Sequence, residues 1–163
     1  MNKRNKTALL TRGAIIAAIY VILTYITNLF GLANGAVQIR LSEGLCVLPI
    51  FFPEAVGGLT LGCFISNVIT GCIPTDIIFG SLATFIGAMG TRLFRKNIPL
   101  AIASPIISNA VIIPLVLKYA YGIGGAWWYF VLTVGAGEII SCAVFGSAII
   151  KFTEKNLKIL NRK

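Results

Sequence analysis

The sequence predicts an all-α integral membrane protein of about six transmembrane helices, with both termini in the cytoplasm. Three observations carry this. Hydrophobic residues make up 57% of the 163 residues and charged residues only 12%, about half the charged share of a soluble domain, and the mean hydropathy is +0.90. Several apolar runs approach or exceed the ~20 residues that cross a bilayer as a helix. The cations are also segregated. Lys3, Arg4, Lys6, Arg12, Arg92, Arg95, Lys96, Lys151, Lys155, Lys158, Arg162 and Lys163 fall on one side of the predicted spans, and only Arg40 and Lys118 on the other. The positive-inside rule makes the first side cytoplasmic, and two inside termini require an even number of spans. One membrane domain, 1–163, fills the chain. A net charge of +9 would suggest nucleic acid for a soluble protein. Here topology and lipid headgroups account for it, so the bilayer is the expected partner and nucleic acid is not.

The first helix is expected over about Thr11–Leu32. Its apolar run is longer than the ~7–15 residues of a signal peptide, so it is expected to be retained. Ala14 and Ala18, four apart, share a face on which another helix can approach closely. Residues 33–41 form an outer loop. A short helix over about Ser42–Phe52 re-crosses, although about 11 residues are too few to span unaided. Pro53-Glu54 turns the chain into a third helix ending near Thr70, lined by Gly57, Gly58 and Gly62. Thr75-Asp76 caps a fourth helix that runs to about Phe94 and the basic cluster Arg92, Arg95 and Lys96. A fifth helix covers about Pro99–Tyr119; Pro105 and Pro114 free backbone carbonyls and suit a cavity lining. Trp127-Trp128-Tyr129 forms an aromatic belt that opens a sixth helix running to about Phe152.

Chemistry is sparse. His is absent, which removes imidazole relays and most zinc sites. Cys46, Cys63, Cys72 and Cys142 make no Cys-x-x-Cys pair and read as small hydrophobes; no metal, cofactor or disulfide is expected. No Gly-x-x-x-x-Gly-Lys-Ser/Thr loop occurs, so the chain has no ATPase site of that kind, and no nucleophile sits beside a base. An enzyme is disfavoured. What remains is a set of polar groups at membrane depth, where charge is expensive and marks pairing or function. The stretch Gln38 to Pro49 crowds Gln38, Arg40, Ser42 and Glu43 between apolar runs. It reads either as one wall of a ligand site or as a salt-bridged loop with Ser42 capping the next helix. Glu138, near the middle of the last helix, either holds a ligand or is protonated or paired for structural reasons. Asn67 and Asn109 either contact that ligand or join helices, each such bond worth about 0.6 kcal/mol. Asp76 reads as a cap.

Gln38-Ile39-Arg40-Leu41-Ser42-Glu43-Gly44-Leu45 through Leu48-Pro49, followed by Pro53-Glu54-Ala55 and the glycine-rich third helix, resembles the QueT family over nearly the whole chain. Members are substrate-binding (S) components of energy-coupling-factor transporters, linked to uptake of queuosine precursors. The resemblance implies an outward-facing pocket capped by loops, docking on a transmembrane coupling subunit, and import driven by two ATPase subunits. Ala14 and Ala18 match the Ala-x-x-x-Ala face by which many members contact the coupling subunit. A deazaguanine base offers a ring N–H beside an exocyclic amine, which one carboxylate can accept together; an aminomethyl cation suits a second. Glu43 and Glu138 are expected to divide these roles, with Gln38, Asn67 and Asn109 reading the remaining edge. Arg40 is expected to pair with Glu43 when no ligand is bound. The alternatives are an S component for another vitamin-like solute and a self-sufficient secondary carrier with Glu138 as its proton site.

Overall fold

Three helical runs are long and apolar enough to cross a bilayer: Lys6–Leu29, Ile98–Ala120 and Trp127–Lys158. They belong to a computed structural model that describes residues 3–31 and 39–160, with side chains over 6–31 and 39–158. Most of the expected outer loop, Gln38 included, lies outside the described residues. Among those described, every regular element is helical. Helix α1 is Lys3–Leu29, α2 is Ala55–Ile69, α3 is Pro74–Leu93, α4 is Ile98–Leu115, α5 is Trp127–Glu138 and α6 is Gly146–Leu160. A 3-10 helix, Leu41–Ile50, precedes α2, and π-helical turns follow α4 (Val116–Ala120) and join α5 to α6 (Ile139–Phe145). Helix α3 has 20 residues, but Asp76, Ser81, Thr84, Thr91 and Arg92 dilute its apolar character.

The expected elements are all present, with altered ends. The first helix starts about two turns earlier and the last runs on beyond Phe152, both over basic, solvent-compatible sequence. The second element changes type. As a 3-10 helix rising ~2.0 Å per residue, its 10 residues reach about 20 Å rather than the ~15 Å of an α-helix. The anticipated caps do not form. Arg40 occupies the N-cap of the 3-10 helix without a side-chain cap bond, and Ser42 lies inside it. Pro74 opens α3 behind Ile73, also without a side-chain cap bond.

Neighbouring helices pack in chain order, α1 on α2, α2 on α3, α3 on α4 and α4 on α5. The 3-10 helix threads between them and touches α1, α2, α3, α4, α6 and the π turn before α6. Glycine makes these approaches possible. A Cβ on Gly58 would stand 2.5 Å from the Gly13 carbonyl oxygen, and one on Gly62 2.8 Å from Tyr20 Cβ, so α1 and α2 meet backbone to backbone. A Cβ on Gly44 would stand 3.0 Å from the Ser141 carbonyl oxygen, and one on Gly146 2.7 Å from Val47 Cγ1, so both glycines seat the 3-10 helix against the last helix. On α1, Ala17 and Tyr20 are buried and Gly13 half-buried, whereas Ala14 and Ala18 stay exposed.

Pro105 and Pro114 of α4, expected to suit a cavity lining, are not among the residues that line the cleft described below. Pro105 presses on Gly87 of α3, where a Cβ would lie 2.7 Å from Pro105 Cα. Ser104 and Ser108 donate to the Gly87 and Ala83 carbonyls at 3.0 and 2.7 Å. Side chains thus lock α3 to α4, and Asn109, one residue on, is left facing inward. One end of the bundle collects Arg12, Glu54, Arg92 and the last turns of α6. The other collects Arg40, Asn67, Asp76 and Tyr121.

Candidate functional site

Four of the six residues expected at the ligand site line one internal cleft: Arg40, Glu43, Asn109 and Glu138, together with Gly80, Thr84, Ile113 and Val134. They come from four elements, with Arg40 at the N-cap of the 3-10 helix. The 3-10 helix turns Glu43 inward, α4 supplies Asn109 and α5 ends on Glu138. Helix α3 contributes Thr84 and Gly80. Both carboxyl groups are buried, Glu43 2% and Glu138 7% exposed. Asn67 adjoins the cleft rather than lining it. Its Nδ2 lies 3.0 Å from where a Cβ on Gly80 would be, so Gly80 makes room for it. Gln38 lies outside the described residues.

Each carboxyl is held by its own set of donors. The Tyr20 hydroxyl donates to Glu43 Oε1, and the Cys46 thiol donates to Glu43 Oε2 at 3.2 Å. Asn109 Nδ2 donates to Glu138 Oε1 at 2.9 Å. The Cys142 thiol lies 3.5 Å from Glu138 Oε2 and 3.3 Å from the Glu43 backbone oxygen. Cys142 sits in the π turn directly after Glu138, the kind of insertion often found at functional sites. The π turn thus joins the backbone of one carboxyl to the side chain of the other. One turn along α1 from Tyr20, Thr24 Oγ1 hydrogen-bonds Ser42 Oγ at 2.7 Å, a second tie between α1 and the 3-10 helix.

The expected Arg40–Glu43 pair is replaced. Arg40 Nη1 donates to Asn67 Oδ1 at 3.3 Å, while Glu43 takes its donors from Tyr20 and Cys46. Asp76 does not cap α3; its Oδ2 accepts from the Tyr121 hydroxyl at 2.9 Å. Partial burial, and then the Asp76 carboxylate, hold the Tyr121 phenol above its usual pKa range. This contact ties the start of α3 to the end of the π turn after α4.

Sequence reasoning missed Tyr20, Cys46, Cys142, Thr84 and Gly80. Only Tyr20 carried a legible signal, a phenol in mid-span that needs a partner when buried. The cleft encloses about 10 Å³, room for about one water. Pockets for small ligands usually hold ~300–1,000 Å³, so a planar base enters only if the walls part. Larger hollows, about 530 Å³ beside Arg92–Asn97 and about 540 Å³ beside Phe79 and Ile112, lie on the flanks and lack convergent buried carboxyls. Among the described residues no group of three or more His, Cys, Asp or Glu could hold a metal.

A sequence model of the QueT transporter family matches residues 10–155, a span that includes every element of the cleft. The chain belongs to the QueT transporter family. A curated relative, the queuosine precursor transporter QueT of Lactococcus lactis subsp. cremoris, is 37% identical over 95 residues, which cover 58% of this chain and 56% of that protein. The match therefore spans about half the length of the relative. No solved structure matches the chain. Membership in QueT, together with the apolar helices, makes this a multi-pass protein of the plasma membrane.

Proposed function

We propose that the chain is the substrate-binding subunit of an energy-coupling-factor importer. It captures a queuosine precursor, a deazaguanine-type base, from outside the cell. The observation that carries this is the convergence of Glu43 and Glu138 on one cleft in a chain of the QueT family; the queuosine precursor for which the Lactococcus relative is named supports the choice of ligand. One carboxylate accepts the adjacent ring N–H and amine of the base. The other holds a pendant aminomethyl cation. Two carboxylates against the one guanidinium of Arg40 leave an excess of negative charge when both are ionised, which favours a cationic ligand. Asn109 and Tyr20 fix the carboxyl positions before the ligand arrives, so less ordering accompanies binding.

The docking face is Ala14 and Ala18 on α1. Gly13, Ala17 and Tyr20 already supply the contact with α2, and the exposed alanines present a second small-residue face for a transmembrane coupling subunit. That subunit and two ATPases supply the energy. In this reading the end bearing Arg92, Arg95 and Lys96 faces the cytoplasm. Calorimetry of the purified chain against deazaguanine bases, guanine and common vitamins tests the ligand, with saturable binding expected for the deazaguanines alone. Affinity purification from native membranes tests the partners; a chain that imports its ligand with no ATPase subunit present would instead be a secondary carrier.

A further inference from the structure

Two hydrogen-bonding groups in the cleft stay unused. Arg40 Nε and Thr84 Oγ1 are buried and make no hydrogen bond of good geometry among the described residues; the Thr84 hydroxyl lies near the Cys63 thiol, a weak partner, without reaching hydrogen-bond geometry. Buried polar groups are nearly always paired, and an unpaired one calls for an explanation. Thr84 is 1% exposed, so bulk water does not serve it. Both residues line the same cleft as Glu43 and Glu138. The asparagines expected to read the ligand are already engaged. Asn109 donates to Glu138, and Asn67 accepts from Arg40 through Oδ1 while its Nδ2 lies 3.7 Å from Cys63 Sγ. They position the groups that touch the ligand.

We infer that Arg40 and Thr84 form a donor pair that reads a carbonyl oxygen on the ligand, beside the N–H edge taken by a carboxylate. This rests on the reading of the cleft as the site for a deazaguanine-type base. Such a base presents its ring carbonyl next to its ring N–H and amine, so acceptor and donors lie along one edge. A wall of carboxylates alone would accept from the donors and repel the carbonyl. A guanidinium N–H and a hydroxyl supply the complement. Arg40 keeps its charge at any working pH, and Asn67 holds its Nη1 so that Nε has a defined direction. Thr84 and Arg40 thereby select an oxo base over one that lacks the oxygen, because an unmatched ligand leaves both donors unpaired.

The test uses the purified full-length chain and two probes, deazaguanine and its thiocarbonyl analogue. The analogue keeps the ring N–H and the amine but replaces the carbonyl oxygen with a weakly accepting sulfur. The wild type is expected to bind the oxo base about 10- to 100-fold more tightly, the range of one or two hydrogen bonds involving a charged donor. Thr84→Val, which keeps the shape and removes the hydroxyl, and Arg40→Lys, which keeps the charge and removes Nε, should each weaken the oxo base about tenfold. Each should leave the thio base nearly unchanged, so that the preference collapses. Thr84→Val decides the matter alone if Arg40→Lys does not fold. Equal weakening of both bases, or equal wild-type affinity for both, overturns the donor pair while leaving the function standing. Binding of neither base by a wild-type protein that melts cooperatively overturns the proposed function, and the donor pair with it.

Discussion

At the scale of single residues, the site consists of carboxyls held by donors that are themselves buried. Glu138→Gln keeps the shape but turns one acceptor into a donor. Asn109 donates to Glu138 Oε1, so the new amide keeps its oxygen toward Asn109 and puts its NH2 where Oε2 faced the Cys142 thiol, a donor where the proposed ligand would need an acceptor. Truncating one partner of a buried charged hydrogen bond commonly costs about 2–5 kcal/mol, or roughly thirtyfold or more in affinity. Thermal stability should fall less, since a neutral amide is cheaper to bury than a charge. Titration beside a melting curve checks both; wild-type affinity in a folded variant would leave Glu43 as the main carboxyl. Tyr20→Phe removes the hydroxyl that donates to Glu43. The carboxyl then lacks one donor in a dry site, a loss of about 1–3 kcal/mol. Ligand affinity and melting temperature should both drop, and an unchanged melting temperature would show that Glu43 finds another donor.

At the scale of elements, helix α1 has two small-residue faces, one packed on α2 and one exposed. Gly58 on α2 meets the Gly13 carbonyl so closely that Gly58→Ala must push α1 and α2 apart. Overpacking of this kind costs about 1–3 kcal/mol, read as a lower melting temperature of the isolated chain. Ala14→Leu and Ala18→Leu alter the exposed face instead. They should leave ligand binding and melting of the isolated chain intact and weaken uptake and co-purification of the partner subunits. Loss of binding with intact assembly would mean that this face packs within the chain. The 3-10 helix joins α1 to the cleft. It carries Glu43 into the cleft, and two side-chain hydrogen bonds from α1 hold it there.

At the scale of the whole molecule, the fold gathers its basic segments at one end and Arg40, Asp76 and Tyr121 at the other. Cysteine labelling of intact cells tests which end is outside. In a Cys72→Ser background the remaining thiols, Cys46, Cys63 and Cys142, are buried. A cysteine at Gly124, where an added Cβ meets nothing within 4 Å, should react with an impermeant reagent, and one at Lys96 should not; the reverse pattern inverts the topology. Composition and charge order were enough to give the class, the helices and their approximate limits. Those properties are local: a bilayer rewards each apolar run separately, and each cation biases its own loop. The candidates Glu43, Asn109 and Glu138 were legible for the same reason, since charge or amide within an apolar run stands out without reference to any neighbour. The partners were not legible. Arg40 meets Asn67 across 27 positions, and Cys142 meets the Glu43 backbone across 99. Those meetings depend on how closely Gly44, Gly58, Gly62 and Gly146 let helices approach. The same close packing leaves Thr84 and Arg40 Nε in the cleft with donors to spare. Tertiary structure alone decides this, because hydrogen bonding at membrane depth is settled by which side chains lie within about 3 Å, a distance the linear order of residues does not encode.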